Sequence, residues 1–331
     1  MRIVAILWAV WVSVAFAPFV SSEQMVHREA YDKNYIHIVY ALDKNLLPPT
    51  VVSVASIVEV SADPSMLFFH FVTVKLPAQS VTALISACVP GSFRHDAVEW
   101  TEIPEVIRTM KIRHPSRQDL AAAPNYVRFY VGVLYPNIDR FIYIDTDTFV
   151  TRDIKQLWDV YLGDNVMGLR DICSGEFAQE MFQRHYNNSK PEVYHIMHSN
   201  HSNCFPNAGV MIVNQRRFNE LNILEKVENL MVRNRKGFIY NLGSQPLITL
   251  TCWDHYVPIP STWNYSGREG RVADCCALYH YTGHPKPWEP AVSSTNITRM
   301  KLWRQVAKTT EGHCLAANAS SFQKFFHSAL S

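Results

Sequence analysis

Residues 141–147, reading FIYIDTD, constrain the fold of this chain more than any other stretch, because an apolar, β-forming run ends on two carboxylates spaced i and i+2. Alternation along a strand would aim Asp145 and Asp147 to one side and Thr146 to the other, and a strand leaving a core puts them at its polar, carboxyl end. Hard oxygen ligands there suit Mg²⁺ or Mn²⁺, ions that commonly neutralise nucleotide phosphates; D-x-D also occurs in plain turns and solvated strand ends. The neighbouring pattern supplies a frame. Residues 35–40 and 66–74 read as strands, 47–60 between them as a crossover helix, and 125–134 as the helix before FIYI. A helix at 154–161 and strands at 166–169 and 209–214 follow, and 218–235 has helical spacing of Leu, Ile and Val. This order predicts an α/β fold, a sheet with helices on both faces and ligands at the carboxyl ends of its strands. Residues 171–206, rich in His, Asn and Ser, read as a long excursion able to shape an acceptor site.

With 331 residues, 48% hydrophobic and 18% charged, the chain can bury a full core, and no linker divides it after residue 34. One catalytic domain is the economical reading. A net charge of +2 with dispersed Lys and Arg offers no groove for DNA or RNA, so no nucleic-acid partner is expected. Met1 and Arg2 precede an uncharged apolar stretch over residues 3–20, then Ser21 and Ser22, which is the layout of a secretory targeting segment. The chain thus divides into a signal peptide or signal anchor (1–22), a short stem (23–34), the domain (35–310) and a C-terminal tail (311–331). N-x-S/T sites at Asn187, Asn200, Asn264, Asn296 and Asn318 agree with a lumenal location. Seven cysteines without C-x-x-C pairs point to disulfides in an oxidising compartment, with at least one thiol left over. Adjacent Cys275 and Cys276 read as two separate partnerships.

Three further segments join the first: VYALDKN at 39–45, NAGVMIVN at 207–214 and HYTGHPKPW at 280–288. With YIDTDTFVTRDIKQLWD at 143–159 they resemble glycosyltransferase family 8, the retaining nucleotide-sugar transferases that include glycogenin and bacterial galactosyltransferases. The likeness runs from about residue 35 to 305 and is most similar to the animal glycosyltransferase 8 domain-containing subgroup. It implies a GT-A type single domain with a Rossmann-like mixed sheet. It also implies that Asp145, Asp147 and His280 bind Mn²⁺, with Mg²⁺ the alternative; a mixed carboxylate and imidazole set favours Mn²⁺. A UDP-sugar donor would then meet Tyr40, Ala41, Leu42, Asp43 and Asn45 with its base and ribose. Arg128 would lie near the donor sugar and diphosphate, Thr146 belongs to the same donor-binding set, and Asn207, Ala208 and Gly209 would contact the sugar. Gly283 lets a phosphate approach the backbone, and Lys286 supplies a mobile charge for it. Trp288 reads as packing.

Many family members carry an acidic residue beside the glutamine of the segment that here reads Gly243, Ser244, Gln245, Pro246. Without it the donor sugar has no evident carboxylate nucleophile beneath it, so covalent double displacement is disfavoured and same-face attack is expected. In that scheme the acceptor hydroxyl enters where UDP leaves, a diphosphate oxygen takes its proton, and Gln245 or Ser244 steadies the cationic sugar. Gln245, Ser244 and Asp171 are the catalytic candidates, Asp171 through the acceptor excursion. The expected activity is transfer of a hexose or pentose from a UDP-sugar to a hydroxyl of a glycan or glycoprotein. The expected place is the Golgi lumen as a type II membrane protein, or outside the cell if the N-terminal segment is cleaved, with membrane contact only through that segment. One competing reading is a catalytically inactive lumenal protein of the same fold that binds glycans or a partner. Another is a metal phosphohydrolase, for which the sequence carries no second acidic cluster. Donor sugar, acceptor and oligomeric state are not legible in the sequence.

Overall fold

A strand buried at every position must be covered on both faces, and β1 (Ile36–Leu42) and β2 (Leu67–Thr73) are such strands. A computed structural model of the protein describes residues 33–112, 117–173, 175–198, 204–266, 276–289, 298–317 and 319. Within them the further strands are β3 (Arg94–Glu99), β4 (Arg140–Ile144), β5 (Thr148–Val150), β6 (Met167–Ile172), β7 (Phe205–Asn214), β8 (Tyr256–Pro258) and β9 (Leu278–His280). Seven of them form one sheet in the order β3-β2-β1-β4-β7-β6-β8, and β5 pairs with β9 separately. β3, β2, β1 and β4 run parallel, β7 is antiparallel to both β4 and β6, and β8 is parallel to β6. The α/β architecture with a mixed sheet follows as expected. These directions place the carboxyl ends of β1, β4 and β6 and the amino end of β7 along one edge.

Ile38, Tyr40 and Leu42 enter one core with Val51, Val54 and Ile57 of helix Leu47–Val60 and with Trp303 and Ala307 of helix Thr298–Ala316. Val39 and Ala41 are buried too, and alternation turns them to the opposite face. The first of these helices forms despite its valines because Pro48 and Pro49 occupy its first turn, where a missing N–H costs nothing.

Several elements differ from expectation for local reasons. The helix expected over 218–235 is two, Gln215–Glu220 and Ile223–Arg233, because Asn222 adopts a left-handed conformation (φ 51°) that asparagine tolerates. The helix expected from 125 starts at Val127, after a 3₁₀ turn that absorbs Pro124. That expected over 154–161 shrinks to Lys155–Trp158. In the excursion, Asp171 sits opposite Pro206 in the β6–β7 ladder, and between them lie helices Gly175–His185 and Pro191–Met197. A Cys173–Cys204 disulfide closes its base. A second disulfide joins Cys88, at the end of helix Ala78–Cys88, to Cys314. The helix bearing Cys314 runs past residue 310, where the domain was expected to end and the tail to begin at 311. Cys252 is a buried free thiol, Cys276 is buried, and Cys275 lies outside the described residues. No helix among the described residues is long and apolar enough to cross a membrane; the stretch expected to be an N-terminal targeting segment lies outside them.

The Cys88–Cys314 bond ties the C-terminal helix to the first part of the sheet across 226 residues of chain. Replacing both cysteines by serine is expected to lower unfolding free energy by about 2–5 kcal/mol. Urea denaturation checks this, and a non-reducing peptide map should recover the Cys88–Cys314 and Cys173–Cys204 pairs.

Candidate active site

β4 ends at Ile144, so Asp145, Thr146 and Asp147 form the bend into β5 and not the last residues of a strand. Strand alternation is therefore not what gathers the carboxylates. The Asp145 N–H donates to the Gly209 carbonyl at 2.8 Å, and the Tyr281 N–H donates to the Asp147 carbonyl at 2.9 Å. The bend is thus held between β7 and β9, whose Thr148↔His280 pairing with β5 brings the imidazole alongside.

His280 Nε2 lies 3.2 Å from Asp147 Oδ1 and 3.8 Å from Asp145 Oδ2. Each of the three residues offers a ligand atom within 4.8 Å of the others. The opposite ring nitrogen, Nδ1, lies 2.7 Å from Asn264 Oδ1. Asn264 is 1% exposed, and its own NH₂ donates to Asn207 Oδ1 at 2.9 Å. An amide oxygen only accepts, so Nδ1 carries a proton, and in the neutral ring Nε2 then presents a lone pair toward the two carboxylates. Three electron-rich groups facing one point fit a divalent cation. Gly209 makes room for the ring: a Cβ there would stand 2.0 Å from His280 Cε1.

Two cationic side chains flank the cluster. Arg128, on helix Val127–Leu134 and 6% exposed, donates to Asp145 Oδ1 at 2.8 Å and to the Ala208 carbonyl at 2.6 Å, with its guanidinium 4.5 Å from the Tyr143 ring centroid. Lys286 pairs with Asp147 and donates to the Tyr281 carbonyl at 2.8 Å. In Asp145 burial outweighs the Arg128 charge, so its pKa lies above the ordinary carboxylate value. In Asp147 burial is outweighed by His280 and Lys286, which hold its pKa well below that value.

A cavity of about 600 Å³ surrounds the cluster. Ala41, Asp43, Asn45, Arg128 and Thr146 line it on one side, and Asn207, Ala208, Gly209, Ser244, Gln245, Gly283, Lys286 and Trp288 continue the wall. Asp43 also makes its own turn, accepting from the Asn45 N–H at 2.8 Å and the Leu46 N–H at 3.2 Å. Gly283 needs its missing side chain, with φ at +72°. Gly243 has no room for a Cβ, which would lie 2.8 Å from the Leu120 carbonyl oxygen.

Three of the expected residues do not line the cavity. Tyr40 and Leu42 belong to the core, Tyr40 through a 2.8 Å bond to Ser53 Oγ, because alternation along β1 turns Ala41 outward instead. The Asp171 carboxylate accepts from the Tyr256 hydroxyl at 2.9 Å. Asn264 needs the opposite correction: its glycosylation motif lies in the interior, where no glycan fits. Of the other such sites Asn187 is exposed, while Asn200, Asn296 and Asn318 lie outside the described residues. Reading Asn264 as a surface site hid its contact with His280, and no spacing rule linked the two. Phe177, Met181, Arg117 and Asn125 also line the cavity without an advance signal.

The pattern described as Glycosyl transferase family 8 matches residues 37–291. The chain belongs to glycosyltransferase family 8. It is 29% identical over 287 residues to "Probable galacturonosyltransferase-like 6" of Arabidopsis thaliana, covering 81% of this chain and 78% of that protein. A second Arabidopsis thaliana relative, "Probable galacturonosyltransferase-like 5", is 28% identical over 82% of this chain and 76% of its own length. The fold is similar to that of the galactosyltransferase LgtC in complex with donor and acceptor sugar analogues, at a TM-score of 0.60 and 20% identity, covering 83% of this chain and 96% of that one. Mouse xyloside xylosyltransferase 1 is similar at a TM-score of 0.51 and 16% identity, over 74% of this chain and 96% of its own.

If Asn264 fixes the His280 tautomer in this family 8 member, Asn264→Ala should weaken divalent-cation binding by about 10–100-fold, the range seen when a ligand's orienting partner is removed. Gly209→Ala should do the same by expelling the ring. Calorimetric titration of each purified variant with Mn²⁺ reads the effect. Unchanged affinity in both would refute the role given to Asn264.

Proposed function

We propose that the protein is a retaining glycosyltransferase that moves a hexose or pentose from a UDP-sugar to a hydroxyl of a glycan or glycoprotein. The observation that carries this reading is the convergence of Asp145, Asp147 and His280 Nε2 inside a cavity of the size small-molecule sites have. These residues would hold Mn²⁺, which when bound neutralises diphosphate charge and eases the departure of UDP. Lys286 stands beside the cluster and would exchange Asp147 for a diphosphate oxygen. Arg128 keeps Asp145 in place and adds positive potential from below.

Asn207 accepts twice through its side-chain oxygen, from Asn264 and from the Gly209 N–H at 3.0 Å, so its NH₂ is what remains for a sugar hydroxyl. Gln245 opens helix Gln245–Cys252 with its amide oxygen 3.5 Å from the Ala208 N–H. From there it can steady positive charge at the anomeric carbon. Among the described residues, Asp145 and Asp147 apart, the acids lining the cavity are Asp43, engaged in its own turn, and Asp119, paired with Arg117. Both are occupied, which supports same-face attack, with a diphosphate oxygen as the base, over a covalent sugar intermediate. The two disulfides and the exposed Asn187 site favour the secretory lumen, with the Golgi as the proposed compartment.

Hydrolysis of UDP-glucose, UDP-galactose, UDP-xylose and UDP-galacturonic acid, followed as UDP release, tests the reading. At least one donor should be turned over with Mn²⁺, and chelation or Asp147→Ala should lower the rate by about 10²-fold or more. A protein that binds glycans without turning over any donor would instead be the inactive relative. Intact-mass analysis during turnover should show no sugar adduct on the chain; an adduct would contradict same-face attack.

A further inference from the structure

We infer that the β6 end of the cavity is a subsite for the apolar aglycone of the acceptor, an aryl or alkyl group attached to the sugar that receives the transfer. This rests on the transferase reading of the same cavity.

The argument begins with strand order. β1, β4, β7 and β6 are successive neighbours, so β6 stands three strand spacings, about 14 Å, from β1. In that reading the nucleotide lies at the end of β1 and the diphosphate at Asp145 and Asp147, just beyond β4. The donor sugar meets Asn207, Ala208 and Gly209 on β7. What lies past β7 is left for the acceptor.

The wall changes chemistry there. Ile172 at the end of β6 sits opposite Phe205 at the start of β7, and the Phe177 ring meets Phe205 edge-on with centroids 6.3 Å apart. Phe177 and Met181 are four residues apart on helix Gly175–His185 and share a face. These side chains and Leu242, next to the Gly243, Ser244 and Gln245 run, line the cavity, and none carries a charge. Phe205 is four residues along the chain from Gly209, at most about 14 Å away, which puts the apolar wall within reach of a ligand at the anomeric carbon.

The wall is also held in place. On the same helix Phe182 is fully buried, 5.3 Å from the Phe205 ring and 5.9 Å from Trp253 between centroids. Phe177 and Met181 therefore face the cavity half-buried while the core anchors their helix. Among the described side chains of this wall a bare oligosaccharide would find no replacement partners for the water stripped from its hydroxyls, whereas an apolar group loses nothing polar. The uracil of the donor does not account for the wall, since it belongs at β1. One aromatic ring stacking on a sugar would not need Ile172, Met181 and Leu242 around it.

Calorimetry in the presence of UDP and Mn²⁺ compares phenyl with methyl glycosides of glucose, galactose and xylose. For at least one sugar the phenyl glycoside should bind about tenfold more tightly or better. Phe177→Ser and, separately, Met181→Gln should bring that ratio near one; the second is a mild, volume-conserving change at a half-buried position. Equal affinities in every pair, or a preference that survives both substitutions, overturns the subsite. Transfer is assayed on the same samples. A phenyl preference with no UDP release from any donor keeps the subsite and removes the transferase reading; UDP release without a phenyl preference does the opposite.

Discussion

Three backbone pairs between β5 and β9, with Thr148 opposite His280, Phe149 opposite Tyr279 and Val150 opposite Leu278, hold the cavity together. The Tyr281 N–H extends this ladder to the Asp147 carbonyl. Residues far apart in the chain meet because main-chain hydrogen bonds and buried neighbours bring them together, not because their charges attract. Phe149, Val150, Leu278 and Tyr279 are all buried, and Thr148 Oγ1 is tied to Ser53 Oγ at 2.9 Å. The ladder is thus clamped against helix Leu47–Val60. Ligands carried on such a support keep their positions before any cation arrives, and that preorganisation is what a binding site needs.

The charges are arranged on this support in a definite order. Arg128 approaches Asp145 from the helix side and Lys286 approaches Asp147 from the β9 side, so each carboxylate has one resident counterion. Arg128 is fixed by the Ala208 carbonyl as well, while Lys286 stands on a long flexible stem. The first is suited to holding a ligand in place and the second to changing partners, as the proposed entry of a diphosphate requires. Asn264 links the cluster to Asn207, so the groups expected to meet the cation and the sugar share one hydrogen-bond chain.

Much of this was legible in the sequence where one residue type has one physical reading. The apolar runs of β1, β2 and β4 announced themselves, and Asp145, Asp147 and His280 were found through their motifs. Helix Gly175–His185 was not, because its exposed face is largely polar and its inward residues are few. Asn222 broke a regular helical pattern through backbone conformation alone, which composition does not reveal. Asn264 carried a surface motif in a buried place, since three residues cannot report burial. Tyr40 and Leu42 matched a family motif, yet alternation gave only Ala41 to the cavity. Asp171 was near the right region and engaged elsewhere, with Tyr256. The misses at Asn264 and Asp171 concern long-range packing, which local pattern does not encode.

The most direct measurement is anomalous diffraction at the manganese edge from crystals grown with Mn²⁺ and UDP. One strong peak is expected, within coordination distance of Asp145, Asp147 and His280 Nε2, with the UDP diphosphate on its open side. A peak elsewhere, or UDP bound in the cavity with no metal beside these three groups, would contradict the claim that they form one metal-binding centre.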